Sequence, residues 1–311
     1  MSLPRHPFFL TGALLLALSL SSCSSVPEAA SQGPAGASGG ALTPGAPAVA
    51  TNESARGLLP ENYRTAGVLR VASDPTYAPF EYFDTDNKTM IGWDVDFTDA
   101  VGAALGLKIE HVPASFDTIL PGLASGKYDM AASFFSVTPE REKIVDFVQY
   151  INSGSGVAVL AGNPKKITMD PLTMCGKAIG AQKGSIQSME ILPAFSAKCV
   201  EAGNSAIDIQ SFPGQSDANL ALVSGRVDGV VADSVTLSYQ GKHANGKFIL
   251  AEGQDYNPEP IGLALNKGSG LEAAVTEAVR DVLNSGHYPA ISEKWGVPAN
   301  VLVTADVLAQ K

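Results

Sequence analysis

From Gly67 onward, short apolar runs alternate with segments whose apolar residues recur at helical spacing, the pattern of an α/β fold. Residues 68–72 read as a strand, 94–105 as a helix and 108–112 as a strand. Ser115 stands as an N-cap before a helix ending near Gly126, and 129–133 is again strand-like. Thr138-Pro139-Glu140-Arg141 has the chemistry of a helix start: a capping hydroxyl, a proline at the first helical position and an acid in the first turn. A second series follows Val157, with strands at 178–181, 207–212 and 229–232 and helices at 185–197 and 216–224. Asp233 caps a further helix running to about Gln240. Beyond Pro258 and Pro260, 261–265 reads as a strand and 271–283 as a long helix with Leu271, Ala274, Val275, Ala278, Val279 and Val282 on one stripe. The second series repeats the first in outline, so the expected architecture is two α/β lobes.

The first residues follow a different pattern. Arg5 and His6 precede an apolar stretch over 8–20, too short for a spanning helix of roughly 20 residues and suited to a signal-peptide core. Leu20-Ser21-Ser22-Cys23 follows directly and resembles the lipobox of bacterial lipoproteins, which implies a leader over 1–22 and a lipid-modified Cys23. From Ser24 to about Arg56 the chain is Ala, Gly, Ser and Pro, unable to bury enough surface to offset its ordering entropy. It is expected to be a flexible tether with an end-to-end distance of roughly 30 Å. Gly36-Ala37-Ser38-Gly39-Gly40 matches a hydrolase nucleophile elbow only formally, since that motif needs a strand before it and a helix after it.

At 311 residues and 45% hydrophobic, the chain can bury a sizeable core. A formal net charge of -10 argues against nucleic acid as a partner, because phosphate recognition needs clustered Lys and Arg. The four histidines are scattered, with neither a His-Glu-x-x-His motif nor a phosphate loop, so no metal and no cofactor is expected. Cys175 and Cys199 sit in an export context where disulfides persist; they are expected to pair, the alternative being two buried free thiols.

Several dispersed segments occur in order: Asp74-Pro75-Thr76-Tyr77-Ala78-Pro79-Phe80-Glu81, Ile91-Gly92-Trp93-Asp94-Val95-Asp96, Phe116-Asp117 with Leu120-Pro121-Gly122-Leu123, Gly126-Lys127-Tyr128-Asp129, Thr138-Pro139-Glu140-Arg141 with Val145-Asp146-Phe147, and Lys294-Trp295-Gly296. This set resembles the extracellular solute-binding proteins of family 3, which serve amino-acid ABC transporters. The resemblance covers about Gly67 to Val297. It implies a periplasmic-binding-protein type II fold with the ligand cleft between two lobes, lobe 1 being 57–155 plus 262–311 and lobe 2 being 156–261. Two hinge strands would cross between them near 157–159 and 261–263. It further implies a monomer that hands an amino acid, polar in character, to a transporter permease from the outer face of the cell membrane.

The resemblance also assigns roles. Arg141 matches the arginine that binds the ligand carboxylate, and a planar guanidinium suits two parallel charge-assisted hydrogen bonds. Ser133 ends the 129–133 strand and is counted with the ligand-binding residues, and Ser136, two residues before the Thr138 cap, would add donors to the same carboxylate. Ser185 and Ile186 open a helix in the second lobe; Ser185 can cap that helix and still face the ligand. Asp233 matches the acceptor for the ammonium group, beside its capping role. Tyr77 and Phe116 match aromatic positions that sandwich the ligand side chain. Asp74 stands where relatives place an acid for a polar side-chain end, or caps the turn before Pro75. Phe134 and Ile186 depart from the small and hydroxyl residues common there and make the pocket narrower or more apolar. A dehydratase-like enzyme and a sensory ligand-binding protein are the alternatives on the same scaffold.

Overall fold

The computed structural model describes residues 49–253 and 255–309; the leader, Cys23, the Gly36–Gly40 tract and most of the expected tether lie outside them. In chain order the elements are α1 (Glu53–Gly57), α2 (Glu61–Ala66), β1 (Val68–Ser73), β2 (Thr76–Tyr77), β3 (Glu81–Phe83), β4 (Met90–Ile91), α3 (Trp93–Leu105), β5 (Lys108–Pro113), α4 (Phe116–Ala124), β6 (Met130–Ser136), α5 (Pro139–Glu142) and β7 (Val145–Leu160). They continue with β8 (Ala178–Gln182), α6 (Leu192–Glu201), β9 (Asp208–Phe212), α7 (Gln215–Val223), β10 (Gly229–Asp233), α8 (Ser234–His243), β11 (Phe248–Leu250), β12 (Tyr256–Asn266), α9 (Glu272–Asn284) and α10 (His287–Trp295). No helix among them is long and apolar enough to cross a membrane.

The main sheet runs β5-β1-β6-β12-β7-β10-β8-β9, with β11 beside β7. Strands β5, β1 and β6 are parallel, and so are β9, β8 and β10. Each half therefore carries the same spatial order of its first three strands, second-first-third, closed by an antiparallel crossover strand. That is the outline repeat the hydrophobic pattern predicts.

Separate cores make these halves two lobes. In the first, Leu69 and Val71 of β1 point to a core with α3, α9 and α10, while Ala72 points to the opposite core with α4. In the second, Val157 and Val159 join Phe195 of α6 on one face, and Ala158 joins Leu222 and Leu237 of α7 and α8 on the other. The period-two alternation of a strand covered on both faces produces both pairs of cores. On α9 the buried residues Ala274, Val275, Ala278, Val279 and Val282 are the predicted stripe. Cys175 and Cys199 form a disulfide that ties the segment before β8 to α6.

Two boundaries differ from expectation. The body starts before Gly57: Asn52 Oδ1 accepts from the backbone N–H groups of Ser54 and Ala55, Ala55 is fully buried, and Arg56 Nη1 donates to the Leu105 and Gly106 carbonyls at the end of α3. A compositional reading runs past this short segment because its stability comes from capping a distant helix rather than from its own apolar content. The strand crossover is also displaced. Ser155 pairs with both Tyr256 and Asp233, so β7 changes partner around Asn152–Ser155, opposite an irregular stretch from Tyr256 to Pro260. Residues 157–159 are already in the ladder of the second lobe and 261–263 in that of the first. Pro258 and Pro260 lack N–H donors, which favours the loosened ladder at this point.

Candidate functional site

In an open parallel sheet, loops and helix starts gather at the carboxyl ends of the strands. Both lobes turn those ends toward each other. Tyr77, Phe116, Ser133, Phe134, Ser136 and Arg141 from the first lobe and Gln182, Ser185, Ile186, Gln187 and Asp233 from the second line one small cavity between the lobes.

Arg141 follows the Thr138 cap, whose hydroxyl accepts from the Arg141 N–H at 3.3 Å. Its guanidinium donates to the Ser136 carbonyl at 2.8 Å and, across the cleft, to the Gly184 carbonyl at 3.1 Å. It lies 5.8 Å from the Phe116 ring centre and 5.5 Å from that of Phe135. Burial holds its pKa below the usual guanidinium value, opposed by the negative potential of Glu259, Glu190 and Asp233. Two of its five N–H groups are committed to backbone carbonyls, which fixes the plane of the fork and leaves three donors. Gly184 reaches it with φ +82°, and a Cβ there would sit 3.0 Å from Asp117 Cβ of the other lobe, so only glycine permits this approach.

Asp233 sits at the end of β10 and does not cap α8 with its side chain, contrary to the simple capping expectation. Its carboxylate accepts a short hydrogen bond from Tyr77 Oη, and its own N–H donates back to the same oxygen at 3.2 Å. The carboxylate is drawn toward the facing phenol, a stronger partner than a helix N–H that solvent can serve. Burial pushes its pKa up to about 6, against the lowering effects of hydrogen bonds from Tyr77 and Ser153 and of the Arg141 charge.

The sign of the resulting linkage is definite. A carboxyl whose folded pKa is raised adds stability that is complete below its ordinary pKa, near 3.8, and is lost as pH rises through about 6. Wild-type protein is therefore expected to lose melting temperature relative to Asp233→Asn as pH rises from 4 to 7. A difference flat across that range in calorimetry would mean that Asp233 does not titrate in this environment.

Asp74 lies one layer behind the cavity. Its Oδ2 accepts from Phe116 N–H at 2.8 Å and from Gln182 Nε2 at 3.2 Å, and its Oδ1 accepts from Thr76 Oγ1 at 2.7 Å. Asp74, and not Ser115, thus caps α4; the Ser115 side chain makes no capping bond. A carboxylate from a neighbouring strand end is the stronger acceptor for a helix N-terminus. Burial raises the Asp74 pKa. Ser133 borders the cavity, but its hydroxyl is committed, accepting from Asp74 N–H at 3.0 Å and donating to Glu81 Oε1 at 2.8 Å. Desolvation, with Asp94 as neighbour, pushes the pKa of the fully buried Glu81 well above the usual carboxylate range.

Phe134 does not simply fill the pocket. Its φ is +51°, a strained value for an aromatic residue, of order 1–3 kcal/mol, kept only where the surroundings over-determine it. The ring stacks on Phe80 at 3.8 Å, and its N–H donates to Asp94 Oδ2 at 3.1 Å. The β6–β12 register shifts at this point, a bulge that turns β6 toward the cavity.

Ser185 borders the cavity, and its Oγ accepts from Ser188 N–H at 3.2 Å. The helix it opens begins as a π-helical turn over Gln187–Ile191 before α6. Asp228 accepts from Ala178 N–H at 3.1 Å, tying β8 to the start of β10. Two residues of the cavity and one acidic neighbour of Arg141 escaped the sequence reading. Gln182 and Gln187 flank Gly184-Ser185-Ile186 and could have been found from the strand end there. Glu259 lies in the crossover stretch, bonded to Ser136, with burial raising its pKa to about 7; no local motif marks it.

The family model of bacterial extracellular solute-binding proteins, family 3, matches residues 69–298. The arginine-binding protein of Corynebacterium glutamicum is 28% identical over 245 residues, covering 79% of this chain and 79% of the relative. An ancestral arginine-binding protein bound to arginine superposes with a TM-score of 0.66 at 32% identity, over 74% of this chain and 98% of its own. An ancestral amino acid-binding protein that is a precursor of cyclohexadienyl dehydratase gives a TM-score of 0.66 at 31% identity, over 76% of this chain and 98% of its own.

Proposed function

Because this chain belongs to the bacterial extracellular solute-binding proteins of family 3, we propose that it captures a polar amino acid outside the cytoplasmic membrane and delivers it to an ABC-type importer. One observation carries the reading: a partly buried guanidinium from one lobe and a buried carboxylate from the other border a single cavity together with Tyr77 and Phe116. Only a small zwitterion with a side chain for the aromatic walls complements that set, its carboxylate on Arg141 and its ammonium on Asp233. Arginine is the first candidate, since relatives named for it recur and since Glu259, Glu190 and Asp233 give the site a negative surround.

The protein acts as a receptor and not as an enzyme. The neighbour that is a precursor of a dehydratase is itself an amino acid-binding protein, which supports binding as the activity of the scaffold. The chain works as a monomer, tethered through a lipidated Cys23 after removal of residues 1–22; the Cys175–Cys199 disulfide supports export.

The test is a thermal-shift series of the folded body against the twenty amino acids, since a ligand that binds only the folded state raises the melting temperature by mass action. A ligand at 100 times its Kd stabilises by about 2.7 kcal/mol. A clear rise with one or a few polar amino acids supports the reading. No rise with any zwitterion removes it.

A further inference from the structure

Outside the ligand cavity the two lobes are joined by a second set of hydrogen bonds. Helix α7 starts after Gly214, which has no side chain to cap it. The capping acceptor comes from the other lobe: Gln215 N–H donates to Thr76 Oγ1 at 3.1 Å, and Thr76 Oγ1 donates to Asp74 Oδ1. From the same residue a chain of amides runs back across the cleft. Gln215 Nε2 donates to Asn219 Oδ1 at 3.0 Å, Asn219 Nδ2 makes a short bond to Gln240 Oε1, and Gln240 Nε2 donates to the Ala78 carbonyl at 2.9 Å. Gln215 is fully buried and Asn219 nearly so. Asn219 and Gln240 each accept through the amide oxygen and donate through the amide nitrogen, the arrangement in which hydrogen bonds polarise one another, while the buried Gln215 Oε1 accepts none. Tyr82 and Tyr239 share a further hydrogen bond along this seam.

None of Gln215, Asn219 and Gln240 borders the ligand cavity. Their function is therefore not explained by contact with solute. The bonds from Gln215 N–H to Thr76 and from Gln240 to Ala78 exist only while the lobes are together, and opening would leave the Gln215 N–H without its acceptor, although Asp217 Oδ2 would still accept from the Gly214 N–H at the start of α7.

We propose that the Gln215–Asn219–Gln240 amide chain with Thr76 is a cross-cleft latch that sets how much of the ligand-free protein is closed, and thereby scales the affinity for every ligand by the same factor. The inference rests on the solute-binding reading for its second half only. Apparent affinity is the intrinsic affinity of the closed form multiplied by the fraction that is closed. A contact that discriminates between lobe positions, but touches no ligand, changes the fraction and leaves the ranking of ligands alone.

Two variants probe the latch by different physics. Gln240→Ala deletes the bond to Ala78 and the acceptor for Asn219, and is expected to weaken closure about fivefold, the worth of one net hydrogen bond. Gly214→Val opposes closure sterically: a Cβ at 214 would lie 3.0 Å from Thr76 Cγ2 and 3.1 Å from its Oγ1. At φ -123° and ψ 158° the backbone of Gly214 is one that valine favours, so the second lobe itself remains unstrained.

The experiment labels one site on each lobe of the full body and reads the inter-lobe distance distribution without ligand by single-molecule fluorescence transfer. Calorimetric titration with each amino acid that the wild-type protein binds follows. Both variants should shift the ligand-free distribution toward open and raise every Kd by a common factor. A ligand-free distribution unchanged in Gln240→Ala overturns the latch, whatever the ligand proves to be. Losses in affinity that differ several-fold between ligands overturn it too, by placing Gln240 in recognition. If no amino acid binds, the function proposed above fails while the distance measurement still decides the latch.

Discussion

Arg141→Ala is expected to weaken amino-acid binding by roughly thirtyfold to several thousandfold, the equivalent of about 2–5 kcal/mol for removing one partner of a buried, hydrogen-bonded charge pair. Three features put this variant first. The guanidinium is enclosed, its plane is fixed by the Ser136 and Gly184 carbonyls, and it stands over two aromatic rings. Without it a ligand carboxylate would be desolvated with no cation to meet it. Arg141→Lys should recover only part of the loss, because an ammonium is a point charge and cannot hold both backbone carbonyls and a carboxylate in one plane. Calorimetric titration at pH 7 measures the effect. An alanine variant within threefold of wild type would remove Arg141 from the site.

The largest effect on stability is expected from Trp93→Ala. Trp93 is fully buried, stacks on Phe97 at 5.0 Å and Tyr150 at 5.4 Å, and donates from Nε1 to Ser292 Oγ at 2.9 Å. It joins α3, β7 and α10 in the core of the first lobe. Truncation of such a residue costs about 3–5 kcal/mol, from lost transfer energy and from the cavity left behind. For folded units of this size, each kcal/mol lowers the melting temperature by about 2–4 °C, so a fall of roughly 10 °C is expected. Scanning calorimetry of the ligand-free protein provides the number; a fall under about 3 °C would mean that the first lobe repacks freely around the gap. The two variants separate cleanly, since Arg141→Ala should leave most of the stability intact.

The contrast between these positions and the subtler ones shows how the chain encodes its fold. Strand and helix periodicity in 68–72, 94–105 and 271–283 is a local property, because side chains two or three to four residues apart share a face whatever lies across from them. The outline repeat of two α/β series followed from it. The pairing of Cys175 with Cys199 was legible for a similar reason: an export context leaves two thiols and few choices.

Other features were illegible because each depends on residues far apart in the chain. Asp74 caps a helix 42 positions away, displacing Ser115 from that role. Arg56 serves carbonyls 49 and 50 positions away, and so extends the body into what composition marks as tether. Asp233 abandons its local capping geometry for Tyr77, 156 positions earlier. For Asp74 and Asp233 the local partner is an alternative of modest worth, and the buried carboxylate turns to a distant donor because the desolvation it suffers must be offset by the best donor in reach.

By itself, then, the sequence determined the α/β class, the two lobes and the chemical types gathered for a zwitterion: a guanidinium, a carboxylate and aromatic rings. Only the tertiary structure decided which of those groups face the cavity. It placed Asp74 and the Ser133 hydroxyl behind it, brought in Gln182 and Gln187, set Glu259 near Arg141, and built the seam through Gln215, Asn219 and Gln240. Periodicity and residue type are properties of short windows of chain. The choice among competing partners is made by burial, which exists only once both lobes have folded and met.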